Sequence, residues 1–92
     1  MQNIQFIYLN NKTYTKIIGE ISNTTVQNIK NEISQNYKGD GLILDFEEVT
    51  FIDEYGIGLL VYCKQRITNN IQIINSSKQV DLTIRLSGFK TI

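Results

Sequence analysis

The sequence predicts an α/β domain in which a mixed sheet of four to five strands is covered by three helices, in the order β-β-α-β-α-β-α. Short β-rich apolar runs recur along the chain. Amphipathic segments with three- and four-residue spacing separate the later runs, and breaks rich in Asn or Gly punctuate them. Strands that alternate with helices call for right-handed crossovers, and hence for parallel pairing.

Taken in order, Ile4, Phe6, Ile7 and Leu9 among polar neighbours make the first strand. Asn10-Asn11-Lys12 is a turn, because Asn tolerates positive φ at little cost, and Tyr14 to Ile18 resumes a β-rich run, so the two form a hairpin. Ser22 or Asn23 is placed to cap a helix through its side-chain oxygen, after which Val26, Ile29 and Ile33 recur at helical spacing until the helix closes near Tyr37. Gly39-Asp40-Gly41 breaks it. Leu42-Ile43-Leu44 is a continuous apolar run suited to a central strand buried on both faces. Glu47-Glu48-Val49 reads as a loop, Phe51-Ile52 as a buried anchor, and Asp53-Glu54-Tyr55-Gly56 as the approach to a second helix. In that helix Ile57, Leu60, Val61 and Lys64 share a face that Leu59 and Cys63 widen, until Thr68-Asn69-Asn70 ends it. Ile71 to Ile74 is another buried strand. Ser76 or Ser77 caps a last helix in which Val80 and Ile84 share a face, with Gly88 as its left-handed terminator.

With 92 residues, no internal repeat and no linker composition, residues 1–92 read as a single domain. Nine basic and nine acidic side chains give zero net charge, which leaves no electrostatic footprint for nucleic acid or anionic lipid. Cys63 is the one cysteine and there is no histidine, so an intramolecular disulfide is impossible, a cysteine-based zinc cluster is excluded, and the commonest general base and metal ligand is missing. The expectation is a protein without catalytic residues, metal or cofactor. Met1 to Gln5 carries neither a charged leader nor a long apolar run, so the expected location is the cytoplasm, without membrane insertion.

The acidic approach to the second helix is the candidate site. Unpaired N–H groups and the positive end of the helix dipole favour an anion there, and Asp53 and Glu54 occupy it. Asp53 as an N-cap and Glu54 as a first-turn acid need no function. Tyr55 beside them is the kind of amphipathic aromatic that anchors interfaces, and equally the kind that lids a core. Gly56 and Gly58 lack the remaining residues of a phosphate-cradling loop and fit close packing of helix on strand.

These residues carry a resemblance. Gly19-Glu20-Ile21 before the first helix, Leu44-Asp45-Phe46 followed by Val49-Thr50-Phe51-Ile52-Asp53, then Gly56-Ile57-Gly58-Leu59-Leu60, and Val80 with Leu86-Ser87-Gly88-Phe89 together resemble the STAS family over nearly the whole chain. The family consists of bacterial binding modules: anti-sigma factor antagonists, stressosome subunits, accessory subunits of lipid transporters and cytoplasmic domains of anion transporters. The resemblance implies a protein-binding regulator in signal transduction and transcription regulation, whose partner is an anti-sigma factor of the GHKL kinase type. The alternative is a structural subunit of a transporter or of a larger STAS assembly. It implies a partner-binding surface at Glu20, Ser22, Asn23, Asp53, Glu54, Tyr55 and Gly56. In the antagonists a serine that the partner kinase phosphorylates follows the aspartate. Here Glu54 stands in that place and cannot be phosphorylated, and Ser22 replaces the acid expected after Gly-Glu-apolar.

Overall fold

A computed structural model describes residues 3–90. The chain forms strand β1 (Asn3–Leu9), strand β2 (Lys12–Ile21), helix α1 (Val26–Asn36), strands β3 (Leu42–Asp45) and β4 (Val49–Ile52), helix α2 (Glu54–Arg66), strand β5 (Ile71–Ile74) and helix α3 (Lys78–Leu86). The architecture is the expected α/β one, with three helices and a five-stranded mixed sheet. The order differs by one short strand, since two strands, not one, lie between α1 and α2.

Asn10 and Asn11 both have positive φ, 53° and 64°. A two-residue turn of that hand matches the twist of its flanking strands, so β1 and β2 pair antiparallel without a break from Leu9↔Lys12 to Asn3↔Ile18. The other edge of β2 serves two partners. Thr13–Lys16 pairs with β3 in parallel, and Gly19–Ile21 pairs with β4 in parallel. β5 then adds to the far side of β3, in parallel. Between the two partners β2 passes through Gly19 at φ 105°, a conformation that side chains resist, and its N–H reaches the carbonyl of Glu48 at 3.0 Å.

Every second residue of β2, Thr13, Thr15, Ile17 and Ile21, turns to the helices. With Leu42, Leu44, Phe46, Val49, Ile52 and Ile71 from the sheet side, they meet Ile29 and Ile33 of α1, Leu59, Leu60 and Cys63 of α2, and Val80 and Ile84 of α3. Burying one such aliphatic side chain contributes about 1.5–3 kcal/mol. Three expectations change. The face that α2 buries is Gly56, Leu59, Leu60 and Cys63, whereas Val61 is exposed and Ile57 half-buried. Phe51 is exposed and not an anchor, while Ile52 is buried. β5 is an edge strand in which only Ile71 is fully buried.

Two buried groups generate predictions. Thr13 Oγ1 donates to Lys38 O at 2.7 Å and accepts from Lys38 N at 3.0 Å, but the hydroxyl of Thr15, two residues on and fully buried, has no partner. An unpaired buried hydroxyl costs about 1–3 kcal/mol, so Thr15→Val should raise the urea midpoint; a lower midpoint would show that the hydroxyl is hydrogen-bonded in solution. Burial also pushes the Cys63 thiol up to about 12 from 9.0. Stability from this group is therefore intact below about pH 9 and lost as pH climbs towards 12, because the unfolded chain gives up that proton first. Native protein at pH 8 should leave an aromatic disulfide reagent unreduced until urea unfolds it; rapid labelling of folded protein would contradict the burial.

Candidate functional site

β2 ends at Ile21, whose carbonyl accepts from Asp53 N at 3.2 Å, so the C-terminal ends of β2 and β4 deliver the chain side by side to two helix starts. The loop after β2 is held by its own hydroxyls. Thr25 Oγ1 accepts from Ser22 N at 2.9 Å and donates to Glu20 O at 2.9 Å, and Ser22 O accepts from the backbone N–H groups of Thr25 and Val26. Helix α1 therefore begins at Val26 with Thr25 in the cap position, and neither Ser22 nor Asn23 caps it through a side chain. The Ser22 hydroxyl instead donates to Glu20 Oε1 at 2.7 Å, and Thr24 Oγ1 donates to the same oxygen at 3.2 Å. Ser22 is only 4% exposed, so its hydroxyl is turned inward on Glu20 and is not presented at the surface as a partner-binding residue would be.

Asp53 does two things at once. Its extended backbone, at φ −114° and ψ −171°, turns the carboxylate back over the first turn of α2, where Oδ1 accepts from Gly56 N at 3.0 Å. Oδ2 accepts from Asn23 N at 3.2 Å. One side chain thus caps α2 and ties it to the β2–α1 loop. Gly56 makes this approach possible, because a Cβ there would stand 2.5 Å from Ile21 O and 2.5 Å from Ile52 Cγ1. Buried in the first turn of α2, Gly56 packs on Ile21 and Ile52 and is not presented at the surface. The packing reading fails at Gly58, where a Cβ would meet no atom within 4 Å.

What remains outside is a compact set of groups. Glu20, Asn23, Glu54 and Tyr55 are exposed, Tyr55 by 56%, and Asp53 is half-buried. Among the described residues Glu20, Asp53 and Glu54 make no ion pair, so no cation at salt-bridge distance offsets the three carboxylates around the positive end of α2, those of Glu20 and Glu54 on exposed residues and that of Asp53 half-buried. Phe51, paired across the strands with Glu20, adds a second exposed aromatic at 51%. The sequence reads as a loop at Val49 and as a buried anchor at Phe51 with Ile52, because no strand is expected there; an irregularity at Thr50 puts Val49 opposite Gly19 and Phe51 opposite Glu20, which turns Val49 and Ile52 inward and Phe51 outward.

A shallow cavity of about 170 Å³ continues from Tyr55 along the α1–α2 seam, lined by Val26, Gln27, Lys30, Tyr55, Gly58 and Tyr62 among others. Lys30 Nζ lies 4.2 Å from the centroid of the Tyr62 ring, a cation–π contact between two residues that line this cavity together with Gly58. Tyr55, Gly58 and Tyr62 stand at i, i+3 and i+7 of α2, a spacing legible in the sequence but assigned there to no role. Among the described residues no three His, Cys, Asp or Glu side chains converge as a metal site, and Cys63 is buried in the core. The arrangement is suited to recognition: charge, two aromatics and a notch.

Residues 8–92 match the STAS domain, so the chain belongs to the STAS family. Among solved structures it is similar to the anti-sigma factor antagonist SpoIIAA in its unphosphorylated form, at 22% identity and a TM-score of 0.76, over 94% of this chain and 81% of that one. It is similar to a serine-to-glutamate variant of Moorella thermoacetica RsbS, at 15% identity and a TM-score of 0.70 over 95% and 79% of the two chains. A third is the STAS domain of an anti-sigma factor antagonist from Rhodobacter sphaeroides, at 9% identity and a TM-score of 0.65 over 84% and 92%. At these identities the likeness is one of fold. No curated protein sequence matches the chain significantly.

The double role of Asp53 has a measurable consequence. Asp53→Ala should cost about 1–2 kcal/mol, the usual loss for a removed cap, and should accelerate hydrogen exchange at the Asn23 amide, whereas Glu54→Gln should stay within about 0.5 kcal/mol of the parent. Equal melting temperatures for all three proteins would remove Asp53 from the framework of the site.

Proposed function

We propose that this chain is a non-enzymatic protein-binding regulator, of the kind represented by anti-sigma factor antagonists, that docks a basic partner surface on the acidic mouth of α2. The observation that carries the reading is the trio Glu20, Asp53 and Glu54, unpaired by any cation among the described residues and flanked by exposed Tyr55 and Phe51. A positive partner side chain gains from this field, and an aromatic framed by charge supplies buried area at low entropic cost. Asn23 lies within the same surface through its bond to Asp53.

The partner in this reading is an anti-sigma factor of the GHKL kinase type, met in the cytoplasm, without nucleic acid, cofactor or membrane insertion. Net charge is zero and, among the described residues, no helix is long and apolar enough to cross a membrane. Glu54 sets the mode of control. A phosphoserine carries about −1.5 to −2 charge and three acceptor oxygens, while a glutamate carries about −1 and two, so this position holds a permanent charge that no kinase can add or remove. The RsbS structure similar to this chain likewise carries a glutamate introduced in place of a serine. A permanent charge fits constitutive binding. The same feature favours the second reading, in which the surface docks for good on a transporter ATPase or a larger STAS assembly.

Kinase and ATP should leave the wild-type protein unmodified, whereas Glu54→Ser should gain one phosphate by mass; phosphate on wild-type Ser22 or Tyr55 would contradict the assignment of the switch position. Glu54→Lys and Tyr55→Ala should each weaken partner capture at least about tenfold, equivalent to about 1.4 kcal/mol, with unchanged melting temperature. Unaltered capture by both would move the docking surface elsewhere. Co-purification with a GHKL kinase supports the first reading, and with a transporter ATPase the second.

A further inference from the structure

The outer edge of the sheet, formed by β1, lies apart from the α2 surface. In β2 the N–H of Thr13 donates to Gly41 O at 2.9 Å and that of Gly19 to Glu48 O at 3.0 Å, so odd-numbered residues of this strand point their backbone groups at β3 and β4. Even-numbered residues point at β1, where the register places Lys12, Tyr14, Lys16 and Ile18 opposite Leu9, Ile7, Gln5 and Asn3. By alternation, Ile4, Phe6 and Tyr8 aim their N–H and C=O groups away from the sheet. Among the described residues no backbone group outside the strand pairs with them.

Edges of this kind are normally blunted by charge, proline, a bulge or shortness. The opposite edge strand, β5, is short, with four residues. β1 has seven residues, Asn-Ile-Gln-Phe-Ile-Tyr-Leu, with no charge, no proline and an unbroken register, and Ile7, Tyr8 and Leu9 are 65%, 45% and 54% exposed. An edge left open in this way is suited to a partner strand.

We infer that β1 pairs antiparallel with β1 of a second copy of this chain, about a two-fold axis at Phe6. In that register Phe6 faces its own copy and Ile4 faces Tyr8 of the other molecule. The outward-pointing residues thus meet as hydrogen-bonded pairs, and each pair exchanges two N–H···O bonds. Beside the axis, on the helix-free face, Ile7 lies opposite Gln5 of the other copy and diagonal to the other Ile7. A strand without charge brings no like charges together when it meets itself, and the same patch serves both molecules, so the contact is isologous and closes at two. β4, which leads to α2, lies on the other edge of β2, so each acidic mouth stays open in the dimer. The inference therefore stands independently of the proposed partner.

The test combines sedimentation velocity over a concentration series with amide hydrogen exchange by NMR on the full chain. The expected result is a concentration-dependent shift from monomer to dimer. With it, protection should appear at Ile4, Phe6 and Tyr8 in concentrated samples and disappear on dilution, while Gln5, Ile7 and Leu9 stay protected throughout. Ile7→Lys, at a solvent-exposed position, sets two lysines diagonally across the axis and should abolish the dimer while leaving the protection of Leu9 intact. A monomer at every concentration with fast exchange at Ile4, Phe6 and Tyr8 would overturn the inference. So would a dimer that survives Ile7→Lys, one that leaves those three amides unprotected, or growth beyond two copies.

Discussion

The geometry of the site follows from a mismatch in strand length. β2 has ten residues and its parallel neighbour β3 has four, so the last part of β2 would run past β3 with its backbone unpaired on that edge. Unpaired buried backbone is costly, and the chain supplies β4 to fill the gap against Gly19–Ile21. Filling it fixes where β4 ends, and therefore where Asp53 falls: beside Ile21, within reach of the loop that follows β2. The start of α2, the tie to Asn23 and the exposure of Phe51 are consequences of that pairing.

Polar groups around this junction divide into two classes by what they touch. Ser22, Thr25 and the Asp53 carboxylate spend their hydrogen-bonding capacity inside the protein, on Glu20, on the turn before α1 and on the first turn of α2. Glu54 and Tyr55 have no such internal partner and stand at the protein surface. The first class sets the framework and the second is free to be recognised. Electrostatic attraction from an exposed acidic cluster is screened over about 8–10 Å at physiological salt, so in the proposed function it acts on partners already close and adds orientation more than strength.

The chain belongs to the STAS family and shares the fold of SpoIIAA and RsbS, and at such low identities its surface chemistry is read from this chain alone. Here that chemistry is a glutamate at the position where the family resemblance puts a serine, and an uncharged outer strand. These two features lie on different parts of the molecule, so the proposed docking face and the inferred self-pairing edge do not compete for the same surface.

Much of this was legible in the sequence. Positive φ at Asn10-Asn11, the 26/29/33 spacing of α1, the apolar run of β3, and the caps at Asp53 and Ser77 are local signals, because each reports a conformational preference settled within a few residues. The tertiary structure decided the rest. Nothing local marks four residues interrupted by an irregularity as a strand; β4 exists because β2 has an edge to offer, and the same irregularity reverses Phe51. In α2 nearly every side chain from Ile57 to Cys63 is apolar, so spacing could not choose a face, and the approach of Gly56 to Ile21 and Ile52 chose it. Ser22, placed on the partner-binding surface by the family resemblance, is buried because the loop after β2 turns its hydroxyl onto Glu20. Local preference determines which elements form; which sides of them face solvent depends on what packs against them, and a single chain read in order does not contain that information.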